Sequence, residues 1–85
     1  MVLNIVIARK GTGFEPIECQ PITRVVECPT GADVELIAEE AIDELAAEHG
    51  IFDHLWGTST TDSMEKLVDG FKRYFDWYER RRCAS

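Results

Sequence analysis

Three cysteines, three prolines and two histidines are few for a chain of 85 residues. Cys19, Cys28 and Cys83 are odd in number and make no closely spaced pair, which fits reduced thiols and excludes a disulfide framework. Structural zinc sites gather ligands as close pairs, whereas these cysteines and the histidines, His49 and His54, stand too far apart in sequence; no metal and no cofactor are expected. Lys10-Gly11-Thr12-Gly13 lacks the Gly-Lys-Ser/Thr ending of a phosphate loop. No Cys/His pair has a nucleophile-elbow context, so no catalytic residue is assigned and the expectation is a protein that is not an enzyme. Long apolar runs are missing too. Met1-Val2-Leu3-Asn4-Ile5-Val6-Ile7-Ala8 is too short to cross a bilayer and has no basic flank ahead of it, so it reads as a strand rather than a signal peptide. A soluble cytoplasmic protein with no membrane partner is expected. Without a repeat, low-complexity tract or linker, residues 1–85 form one expected domain.

What the chain does have is acid. Sixteen Asp and Glu against nine Lys and Arg leave a formal charge of −7. Between Asp33 and Glu48 lie seven carboxylates (Asp33, Glu35, Glu39, Glu40, Asp43, Glu44 and Glu48) and no Lys or Arg. Like charges four apart on a helix cost a few tenths of a kcal/mol per pair, so the segment forgoes Glu/Lys pairing that would have stabilised it. The amino-terminal half is therefore an unfitting direct ligand for nucleic acid. Hydrophobic residues make up 45% and charged residues 29%, a balance that supports a folded core.

Residues 2–9 alternate, with Leu3, Ile5 and Ile7 on one face and Val2, Asn4, Val6 and Ala8 on the other, as a strand apolar on most of both sides would. Lys10-Gly11-Thr12-Gly13 predicts a hairpin reversal with positive φ at the glycines. Phe14 to Cys28 predicts a second extended region, broken by Pro16 and Pro21 into an edge strand or two short strands. Thr30 or Asp33 caps a helix whose inner stripe is Val34, Ile37, Ala38, Ala41, Ile42, Leu45 and Ala46, and Gly50 stops it. Residues 51–56 read as an apolar connector ending at Gly57, with Trp56 in the core. Caps among residues 58–63 start a last helix with the stripe Met64, Leu67, Val68, Phe71, Tyr74, Phe75 and Tyr78. Gly70 within it predicts close packing. The fold expected is α+β, a small two-layer sandwich in which a two- or three-stranded mainly antiparallel sheet packs one face against two helices, in the order β-β(-β)-α-α.

Candidate binding residues are Glu35, Glu39, Glu40, Asp43 and Glu44 on the acidic helix, with Trp77, which falls off the apolar stripe and points sideways or outward, either as an aromatic anchor or as a cap on the edge of the core against residues 51–56. The plain alternative is a solvated face that confers solubility. Lys72, Arg73, Arg80, Arg81 and Arg82 form a basic tail that compensates the helix dipole or pairs with acid on its own chain or a second copy, so a homodimer held by opposite charge is one expectation. In size, acidity and lack of catalytic chemistry the chain is similar to small phage-encoded inhibitors of host defence, such as anti-CRISPR proteins and DNA mimics. That resemblance implies a non-enzymatic inhibitor in the host cytoplasm that occupies the basic, nucleic-acid-binding surface of a larger protein. The alternatives are an accessory subunit of a cellular enzyme docking through an apolar, aromatic patch, and a small enzyme or metal protein.

Overall fold

A computed structural model describes residues 1–84; residue 85 of the expected domain lies outside the described residues. The elements run β1 (Val2–Arg9), β2 (Ile22–Glu27), α1 (Val34–Glu48), β3 (His54–Ser59) and α2 (Met64–Cys83). The α+β class, the antiparallel sheet and the two helices are as expected. Both neighbours pair antiparallel with β1, in the order β2-β1-β3.

Two features of the arrangement differ from expectation. The third strand comes between the helices, because residues 54–59 are a strand and not a connector followed by caps. Gly57 lies opposite Val6, and a Cβ there would rest in ordinary contact with Phe71, Val6 and Leu67, so a small residue lets α2 lie against this strand. Trp56, expected in the core, stays 56% exposed on the same edge strand. The second difference is layering. Leu3, Ile5 and Ile7 pack with Ala41, Ile42, Leu45 and Ala46 of α1, whereas Val6 and Ala8 pack with Phe71 and Phe75 of α2. Alternate residues of a strand point to opposite faces, so the helices cover opposite faces and the molecule has three layers. A central strand apolar on both sides requires this, since cover on one face alone would leave the other in water.

The local signals act largely as read. Asp33 caps α1, accepting from the N–H groups of Glu35 (3.1 Å) and Leu36 (3.3 Å). Gly50 takes φ of 65° just past the helix end, where a side chain would be strained. Ser63 caps α2, and Arg80, Arg81 and Arg82 occupy its last turn, where cations suit the helix dipole. Gly11 and Gly13 do not adopt positive φ, and residues 10–21 form a long loop in place of the tight reversal. Gly70 is not explained by close packing, because a Cβ there would meet nothing within 4 Å. Among the described residues, no helix is long and apolar enough to cross a membrane.

Candidate functional site

The side chains of α1 divide by their rotation about the axis. Val34, Ile37, Ala38, Ala41, Ile42, Leu45 and Ala46 recur at three- and four-residue steps and pack on the sheet, which turns Glu35, Glu39, Glu40, Asp43 and Glu44 to the solvent side. All five are exposed. Arg24 of β2 stands opposite Ile5, on the α1 side of the sheet, and its guanidinium pairs with Glu48 and lies 4.0 Å from Glu44. The carboxyl-terminal end of the acidic row is thus partly neutralised within the chain. Among the described residues, Glu35, Glu39, Glu40 and Asp43 make no ion pair. They are the uncompensated centre of the patch.

Trp77 is not part of that patch. It lies on α2, across the sheet from the acidic helix, 53% exposed. Its ring stacks at a tilt on Tyr74 with centroids 5.9 Å apart, and the Arg81 guanidinium lies 5.3 Å from its centre. Tyr74, expected on the inner stripe of α2, is exposed beside it. The structure therefore brings the five carboxylates together and places the aromatic anchor on the opposite face.

The basic tail is not a free cluster. Arg80 pairs with Asp76 at 3.1 Å, and Arg82 is turned inward. Arg82 meets Glu79, whose side chain is fully buried at 0% exposure, through Nε to Oε2 at 2.9 Å and Nη2 to Oε1 at 3.0 Å. Glu79 Oε1 also accepts from the backbone N–H groups of Gly11 and Ile17, each at 3.2 Å. Arg82 donates onward to the carbonyls of Gly13 (2.7 Å) and Glu15 (3.2 Å). One ion pair thus fastens the stretch from Gly11 to Ile17 of the 10–21 loop to the last turns of α2. The hydrogen bonds from Arg82 hold the Glu79 carboxyl below the usual range; burial opposes this and the Ile17 and Gly11 amides reinforce it. The sequence reading places Arg82 in the basic tail and does not single out Glu79. The signal is that Glu79 continues the Phe71, Phe75 stripe at the next four-residue step, with Arg82 three residues on.

Held by this clamp, Phe14 projects from the loop with 99% of its surface exposed. Phe52, just past α1, is 95% exposed. Both rings line an open groove of about 1140 Å³ between the loop and residues 49–53.

Cys28 belongs to the core beneath α1 and Cys19 to the one beneath α2, so the sheet separates them, and all three cysteines are free. Burial pushes the Cys19 thiol up, with Lys72 opposing, which makes it a poor nucleophile. Among the described residues, no three His, Cys, Asp or Glu side chains gather as metal ligands. Compared with protein-family models, with curated proteins and with solved structures, the chain matches none.

Proposed function

We propose that the chain is a non-enzymatic binding protein whose α1 face occupies a basic, nucleic-acid-binding surface on a larger protein, acting in the cytoplasm as an inhibitor of the phage-encoded, DNA-mimicking kind. The observation that carries this reading is the row Glu35, Glu39, Glu40 and Asp43, exposed and without a cation from its own chain. At a rise of 1.5 Å per residue these carboxylates fall within about 12 Å of helix axis, in steps of about 6, 1.5 and 4.5 Å, a dense though uneven patch of negative charge. Arg and Lys side chains set to meet phosphates can meet carboxylates too, with guanidinium forks taking them in two-pronged hydrogen bonds. The helix is capped and packed on the sheet, so its backbone is already ordered when a partner binds.

Affinity capture from a lysate at low and high salt, followed by mass spectrometry, tests the reading. Basic nucleic-acid-binding proteins should be retained at low salt and released at high salt. The triple variant Glu39→Lys, Glu40→Lys, Asp43→Lys should lose them, and should no longer displace DNA from the captured protein. Unchanged capture by the triple variant would show that the acidic face is not the contact. A second reading, an accessory subunit docking through an aromatic patch, is favoured by the Tyr74 and Trp77 pair on α2. Capture that survives the triple reversal and disappears with Trp77→Ala would select it.

A further inference from the structure

We propose that two copies of this chain form a closed two-fold dimer in which Phe14 of each copy enters the groove beside Phe52 of the other. Phe14 is no wandering loop tip. The carbonyls on either side of it, of Gly13 and Glu15, are both held by Arg82, so the ring is fixed outside its own core, 99% exposed. Ordering a loop is a large part of the cost of binding through it, and here the Glu79–Arg82 clamp has ordered it already. Exposed aromatics presented on rigid backbone are the side chains that dominate interface energies.

The occupant follows from what shares the patch. The projecting ring and the groove, with Ile51 buried beneath and Phe52 exposed in its lining, belong to one surface. Phe14 stands at the rim of its own groove and leaves it open, and an identical ring from a second copy can enter it. A two-fold interface needs such self-complementarity, with a knob and a hole on the same surface. Charge agrees. The groove carries Arg9 and Lys10 as well as Glu15, Glu18 and Asp53, so a two-fold contact can set opposite signs against each other. The solvent face of α1, all acid, would repel a second copy.

Sedimentation equilibrium of the full chain over a range of concentrations tests the proposal. A reversible monomer–dimer equilibrium that persists at high salt is expected, since apolar burial is not screened. Phe14→Ser and Phe52→Ser should each weaken dimerisation about tenfold or more. Both variants should keep the parent circular dichroism spectrum, because neither ring packs in the core. The triple reversal on α1 should dimerise like the parent, which separates this contact from the acidic-face reading. A monomer at every concentration overturns the proposal, as does a dimer unaffected by either serine variant. Loss with one variant but not the other overturns the reciprocal geometry, and a mass that keeps rising with concentration shows head-to-tail stacking instead.

Discussion

Glu79 shows most clearly how one side chain sets local structure. A carboxylate removed from water must be matched, and here four donors match it: two from Arg82 and the amides of Gly11 and Ile17. Removing one partner of a buried pair strands the other. Glu79→Ala is expected to cost about 3–5 kcal/mol in urea unfolding, a large share of the stability of a domain this small. Gly11 is tied to the same contact, because a Cβ there would run into Arg82 Nη2 and Glu79 Oε1. Gly11→Ala should therefore destabilise the chain although its φ is not positive, whereas Gly13→Ala, where a Cβ meets nothing within 4 Å, should be mild. The pH response has a definite sign. The Glu79 carboxyl titrates lower folded than unfolded, so its stabilisation is complete above the unfolded value near 4 and fades as pH falls through the lower folded one. The stability gap between the parent and Glu79→Gln should hold steady from about pH 7 to 5 and narrow in acid. A gap unchanged down to acid unfolding would place the effect elsewhere. This pair was hidden from sequence reading because a Glu and an Arg near a helix end look like ordinary solvated charges; only the loop that folds over them makes them internal.

The helices and β1 could be read from spacing because their apolar periods are strong and their caps are standard. The α1 stripe, the Asp33 cap and the Gly50 stop lie where side-chain chemistry puts them. Asp33→Ala should cost about 1 kcal/mol by leaving the first-turn amides to water, measurable as a lower Tm. Gly70 in α2 should respond in the opposite direction. With open space at its Cβ position, Gly70→Ala should stabilise the protein by up to about 1 kcal/mol through helix propensity alone. No gain, or a loss, would mean that the site is filled by something outside the chain. β3 was missed because Gly57, Thr58 and Ser59 carry turn chemistry, and Ser59 does accept from the amides of Thr61 and Asp62 immediately after the strand. Its partner is β1, more than forty residues away in sequence, so its strand character comes from pairing rather than from local preference. The layering was available in principle: Val6 and Ala8 alternate with Leu3, Ile5 and Ile7, and two apolar faces call for two covers.

Across the whole molecule, the sheet separates two electrical characters. The α1 side carries the acidic row, relieved at one end by Arg24, while the α2 side mixes Arg73, Arg80 and Arg81 with Asp76 around Trp77. A partner on one face is thus shielded from the other, and Trp77→Ala should leave salt-sensitive capture through α1 intact. Of the candidate site, the carboxylates could be found from the sequence because a run of acid on a helical period has few ways to hide. Their separation from Trp77 could not, since it depends on which face of the sheet each helix takes. The loop clamp has a consequence for the order of events during synthesis. Arg82 seals Gly13 across sixty-nine positions. At about 5–20 residues per second the first loop waits some seconds, unfastened, for the lock that closes it. During that interval the backbone on either side of its phenylalanine tip is as yet unanchored, and a protease that meets the nascent chain early finds a loop without the hydrogen bonds that later hold it.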